Sequence, residues 1–114
     1  MEILKSLDSS PIVLDYKIID FKIWETGFYN RVEIRLQNGT MLFTREYNDE
    51  TQRNYSFHWQ DSKGLLIMRW DNAPHHNHLK TSPHHLHKDD LIKESTDISI
   101  KEVLKYIEKL LPDL

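Results

Sequence analysis

Cysteine is absent from this chain, which removes disulfide scaffolds, thiolate metal centres and cysteine nucleophiles together. No apolar run approaches the roughly 20 residues of a membrane-spanning helix. The N-terminal MEILKSLDSSP has an acidic second residue and no apolar core, so it does not read as a secretory signal. Excess positive charge is also lacking. The formal net charge is −3 with histidines neutral, which leaves no global basic footprint for a polyanion. Together these absences lead us to expect a soluble cytoplasmic protein with no membrane partner. What remains is ordinary globular composition over 114 residues, 39% hydrophobic and 29% charged, sufficient for one domain spanning residues 1–114. The exception is a set of seven histidines. Imidazole titrates near about 6.5, so mild acid or a local anion turns the 75–87 segment strongly positive.

Period-two recurrence of apolar residues predicts an antiparallel meander over about residues 13–71. The strongest turn signal is Asn38-Gly39, because Asn-Gly supplies two positive-φ positions for a type I′ hairpin. A two-residue turn there is expected to set Ile34 opposite Phe43 and Leu36 opposite Met41 on an apolar face. The same turn sets Arg31 opposite Glu46 and Glu33 opposite Thr44 on a wet one. Around Asp61-Ser62-Lys63-Gly64 the expected pairs are Tyr55 with Trp70, Phe57 with Met68 and Trp59 with Leu66, leaving Ser56, His58, Ile67 and Arg69 on the wet side. Upstream, Thr26-Gly27 closes a hairpin in which Ile19, Phe21 and Ile23 join the apolar face and Asp20 and Lys22 the polar one.

The cover for the apolar face is the segment at about 99–111. Ser99-Ile100-Lys101-Glu102 is a capping-box pattern, and Ile100, Val103, Leu104, Ile107, Leu110 and Leu111 form a stripe at helical spacing, with Pro112 just beyond. An N-terminal helix over residues 2–7 is marginal alone. The expected fold class is therefore α+β, a five-stranded antiparallel meander with one face covered by a C-terminal helix. Between them lies a long His-rich loop at about 72–97, broken by Pro74 and Pro83; loops of that length tend to be functional or disordered.

The loop histidines fall in two triplets, His75/His76/His78 and His84/His85/His87, each following a proline. Pro74 and Pro83 restrict their own φ and push the preceding residue toward extended geometry. In extended chain, residues two apart share a side, so His76 with His78, or His85 with His87, point together while adjacent histidines diverge. Three readings compete for the cluster. With Asp71, Asp89 and Asp90 nearby it suits a divalent metal, although no fixed helical ligand spacing is present. With Arg69 beside it, it suits metal-free RNA cleavage, one group taking the 2′-hydroxyl proton, another protonating the leaving oxygen and a cation steadying the phosphorane. The bland reading is a solvated polar loop.

The flanking residues carry similar choices. Arg69 and Asp71 sit at a strand end beside the loop, where rigid scaffolds usually present reactive groups, yet a surface Arg–Asp pair is commonly a solvated contact. Asn72 is explicable as turn chemistry, and Trp70, Trp59, Tyr55 and Phe57 as core. On the wet face Arg31 and Arg35, with His58 and Arg69, form a candidate cationic track for phosphate contacts.

These residues resemble a known family. Tyr55-Ser-Phe-His-Trp-Gln, then Gly64-Leu-Leu-Ile-Met-Arg-Trp-Asp-Asn-Ala-Pro-His-His, then Ser82-Pro-His-His-Leu-His is similar to the TumE family of prokaryotic toxins from toxin–antitoxin modules, over most of the chain. Residues matching the family motif are His58, Arg69, Trp70, Asp71, Asn72, His75, His76, His84, His85 and His87, while Ser82 stands where members tend to carry an aromatic. The resemblance implies a cytoplasmic toxin neutralised by a helix-turn-helix antitoxin, and it implies no particular mechanism. Two functions are expected in competition. One is an RNA-directed, metal-independent ribonuclease without cofactor, using Arg69, Asp71, His58, His75, His76, His84, His85 and His87 with Arg31 and Arg35 on substrate. The other is a non-catalytic module whose histidines hold a partner protein or a divalent metal.

Overall fold

The computed structural model describes residues 2–74, 76 and 78–111. Alternating chain from residue 13 onward builds a single antiparallel sheet whose strands follow chain order from edge to edge. They are β1 (Val13–Trp24), β2 (Gly27–Leu36), β3 (Met41–Asn48), β4 (Arg53–Gln60), β5 (Leu66–Asp71), β6 (His85–Lys88) and β7 (Leu91–Glu94). Two helices complete the chain, α1 (Glu2–Ser9) and α2 (Ile100–Leu110). The α+β class stands, but the sheet has seven strands where five were expected. The stretch expected as loop from 72 to 97 contains the last two.

The capping box on α2 forms as expected: the Glu102 N–H donates to Ser99 Oγ, and Ser99 N–H donates to Glu102 Oε1. That satisfies two of the orphan donors at the helix start. Its stripe of Ile100, Val103, Leu104 and Ile107 joins Ile3 and Leu7 of α1 over the apolar sheet face of Val32, Ile34, Leu36, Leu42, Phe57, Trp59, Met68 and Trp70. Among the described residues neither helix covers the opposite face of the sheet, which carries the polar residues discussed below. Among the described residues no helix is long and apolar enough to cross a membrane. Pro112 lies outside them.

The Asn38-Gly39 turn differs from expectation in its type. Of its two central residues Gly39 alone has positive φ, and Leu36 N–H donates to Thr40 O, so three residues rather than two form the loop. A type I turn followed by a left-handed glycine produces this geometry. The extra residue moves the register by one, pairing Ile34 with Leu42, Glu33 with Phe43 and Arg31 with Arg45. A slip of one exchanges the faces, so Leu42 enters the core while Met41 and Phe43 lie on the open side. The next hairpin is shifted by two, pairing Phe57 with Trp70, Trp59 with Met68 and His58 with Arg69. An even shift keeps the faces, and Tyr55, Phe57, Trp59 and Trp70 are buried as expected.

Strand β1 also corrects the reading. Leu14 and Ile19 are skipped in its pairing with β2, and these bulges kink an edge strand. Ile19 consequently stays exposed instead of joining the core, and Ile23, in register opposite Phe28, is exposed as well. Gly27 is required where β2 begins, because a Cβ there would meet the Asn48 carbonyl oxygen at 2.0 Å.

Candidate active site

Strand pairing alone gathers most of the singled-out residues. On the open face, His58 of β4, Arg69 of β5 and His87 of β6 lie side by side in register, and Ser56, Asp71 and His85 form the adjoining row. Neighbouring strands are about 4.8 Å apart, so two imidazoles flank one guanidinium across roughly 10 Å of sheet.

Asp71 organises the group. Its Oδ1 accepts from His85 Nε2 at 2.8 Å and from the Ala73 N–H at 3.0 Å, while Oδ2 accepts from Arg69 Nε at 3.1 Å and has His87 Nε2 at 3.5 Å. The residue is 5% exposed and His85 is 2% exposed. A carboxylate so deeply placed needs these donors. His85 Nδ1 faces the Pro83 carbonyl oxygen at 2.9 Å, so each of its ring nitrogens meets an acceptor and the ring is held fast. The Asx contact from Asp71 to Ala73 turns the chain out of β5. Asn72 does different work from the turn chemistry expected of it: it accepts from the Tyr55 N–H at 3.0 Å and donates to the Arg53 carbonyl, fastening the end of β5 to β4.

The flanking histidines differ from His85. Burial holds the His58 imidazole below its ordinary value, with the Gln60 contact opposing and the Arg69 charge adding to the shift. Burial likewise pulls His87 down, against the pull of the Asp71 carboxylate. Gln60 Oε1 lies 3.1 Å from His58 Nε2. With Nε2–H donating there, Nδ1 presents its lone pair beside Arg69 NH1 at 3.5 Å.

Other expected members fall elsewhere. His84 turns away from its neighbour, as adjacent extended residues must. Its ring stacks on Tyr55, with Nδ1 2.9 Å from the phenol oxygen. Arg35 is tied to Asp15 by two contacts at the sheet margin. Arg31 sits opposite Arg45, in the row that leads through Ser56 to Asp71. His75 lies outside the described residues.

His76 packs against His85 and His87, with ring centroids 4.6 and 5.9 Å away. These three present ligand atoms that all lie within 4.8 Å of one another. For His85 to ligate, Nε2 would exchange its Asp71 contact for the ion while Nδ1 keeps the Pro83 carbonyl, the support on the second ring nitrogen that metal-ligating histidines commonly have. The arrangement therefore offers two chemistries: proton transfer around a guanidinium, or nitrogen ligation of a zinc-class ion.

Sequence reasoning missed Tyr29 and Tyr47 as neighbours of the site, and left open whether Arg45 or Glu46 shares its face. Together with Arg69, Asp71 and Asn72, the two tyrosines and Arg45 line a cleft of about 510 Å³ on the open face. The one-residue register slip reverses the β3 faces and so brings Arg45 and Tyr47 to this side, whereas Tyr29 of β2 shares the expected face of Arg31.

Comparison with known proteins identifies one family: the model described as Toxin TumE matches residues 3–111. No curated protein and no solved structure matches the chain.

Proposed function

This chain belongs to the TumE family of toxins, and on that premise we propose that it acts on RNA as a metal-independent ribonuclease. Family membership brings with it an antitoxin partner, and we propose one of the helix-turn-helix class. The observation that carries the reading is the row His58–Arg69–His87 across three adjacent strands. Cleavage of an RNA phosphodiester by its own 2′-oxygen needs a base, an acid and a cation at the phosphate. His58 Nδ1 takes the 2′-hydroxyl proton, O2′ attacks phosphorus, Arg69 holds the non-bridging oxygens, and His87 returns a proton to the departing 5′-oxygen. The products are a 2′,3′-cyclic phosphate and a 5′-hydroxyl. Asp71 and His85 are positioning residues: they fix the Arg69 guanidinium and touch no reacting atom.

The test is expression in a bacterial host with parallel RNA cleavage by purified protein. Arg69→Ala, His58→Ala and His87→Ala should each fold normally by circular dichroism, release growth arrest, and cut RNA about a hundredfold or more slower. Variants that fold, stay toxic and still degrade RNA at the parental rate would refute the reading.

The second reading is a non-catalytic module whose histidine cluster holds a divalent ion or a partner protein. The convergence of His76, His85 and His87 favours it. Elemental analysis of untagged protein after dialysis against chelator separates the two, since one retained zinc per chain supports the second reading and rules out the metal-free mechanism.

A further inference from the structure

The cleft beside Arg69 carries features that the proposed chemistry leaves unused. Tyr29 and Tyr47 face each other in register across β2 and β3 and are both part-buried. Tyr47 is braced: its hydroxyl donates to Asp49 Oδ2 at 2.7 Å and its ring lies 5.6 Å from that of Trp24. Tyr29 is held to the adjoining row, where Arg45 Nε donates to its phenol oxygen at 3.3 Å. Two partly exposed aromatic rings fixed on a sheet form the kind of platform on which nucleobases stack.

The charges beside the rings point the same way. Arg31 and Arg45 are paired directly opposite each other, an arrangement of like charges that costs stability unless an anion lies between or beside them. Among the described residues neither has a carboxylate within ion-pair distance. Arg45 and Arg69 line the same cleft, on the two strands that border β4, Arg45 opposite Ser56 and Arg69 opposite His58 in the next row. Its volume of about 510 Å³ falls in the usual range for small-ligand sites.

We infer that this cleft seats one nucleotide of a single-stranded RNA next to the phosphate that is cut, with the base against Tyr29 and Tyr47, its own phosphate on Arg45 and the scissile phosphate on Arg69. The inference rests on the ribonuclease reading and adds the conformation and position of the substrate. A duplex cannot present an unstacked base to the tyrosines, so single-stranded RNA is preferred over double-stranded.

The experiment is anisotropy titration of full-length protein with a labelled 2′-O-methyl RNA hexamer, which lacks the attacking hydroxyl, alongside cleavage of the unmodified hexamer. Tyr29→Leu and Tyr47→Leu keep apolar bulk on the sheet while removing the flat ring. Each should weaken binding roughly five- to hundredfold, whereas Tyr29→Phe, which keeps the ring and loses only the Arg45 contact, should weaken it less than Tyr29→Leu does. Arg45→Ala should lower the salt dependence by about one unit of slope. If the parent binds and cuts the hexamer and all of these variants match it, the platform is refuted while the ribonuclease reading stands. If the parent cuts RNA and binds duplex as tightly as single strand, the platform is likewise overturned. If the parent neither binds nor cuts, both fall together.

Discussion

Replacing Asp71 with Asn probes the centre of the constellation without changing its shape. The carboxylate accepts from His85, Ala73 and Arg69, with His87 at the margin. An amide has one acceptor and one donor end. If its oxygen faces His85 and Ala73, its NH2 meets the Arg69 and His87 donors; flipped, it meets the other two. Either way buried donors lose their partner, at about 1–3 kcal/mol. Two donors lose their partner in either orientation, so the losses sum to about 2–4 kcal/mol. Arg69 is 38% exposed on its side chain, so its share is at most about 1 kcal/mol. The expected loss is about 3 kcal/mol, which for a domain of this size lowers Tm by about 12 °C. Urea melts followed by circular dichroism measure it. Double-mutant cycles of Asp71→Asn with His85→Gln and with Arg69→Met should then give the larger coupling to His85. A loss below about 1 kcal/mol, or a stronger coupling to Arg69, would contradict the view of Asp71 as a buried hub.

Three further outcomes are expected. The folded state holds His58 below the ordinary imidazole value, so the unfolded chain binds its proton more readily. The associated stability is full above about pH 6.5 and is lost as pH falls through the lowered folded value. The urea midpoint should accordingly drop between pH 7.5 and 5, less steeply in His58→Gln, and an unchanged slope in that variant would sink the assignment. Gly27→Ala should cost about 2–3 kcal/mol, because the new methyl meets Asn48 O at 2.0 Å; a variant melting with the parent would show that the hairpin relaxes freely. Asn30 is fully buried, and neither polar atom of its side chain has a hydrogen-bond partner among the described residues. Asn30→Leu should raise stability by about 1–2 kcal/mol, and a lower Tm would count against an unsatisfied amide.

Much of this was legible in the residues themselves. The capping box at Ser99 and Glu102 is a local signal with a local cause, and it formed as read. The burial of Trp59 and Trp70 followed from period two, which survives an even register error. The Asn38-Gly39 turn misled because the dipeptide fits two hairpin loops that differ by one residue, and that difference decides which of Leu42 and Phe43 goes inside. The final hairpin escaped notice for another reason. Its strands are four residues each, too short to show a period, and both central positions of its turn, Asp89 and Asp90, take positive φ without a glycine to announce it. Of the candidate site, Arg69, Asp71, His58, His85 and His87 were nameable from sequence. That Asp71 would be buried, and that His84 would turn away, required knowing that β6 returns to pair with β5.

That return has a consequence for what a measured potency would mean. β5 and β6 are joined at Arg69–His87, Trp70–Leu86 and Asp71–His85, and β7 beyond them is exposed along its whole length. A short hairpin at the sheet edge opens at a free energy below that of global unfolding. His85 and His87 ride on it, so the competent arrangement is a population governed by a local equilibrium, not a fixed property of every folded molecule. A weakened Leu86 or a strained Asp89-Asp90 turn that costs about 1 kcal/mol would raise the open population about fivefold while lowering Tm by only about 4 °C. Amide exchange in β6, rather than Tm, is the quantity that toxicity should follow.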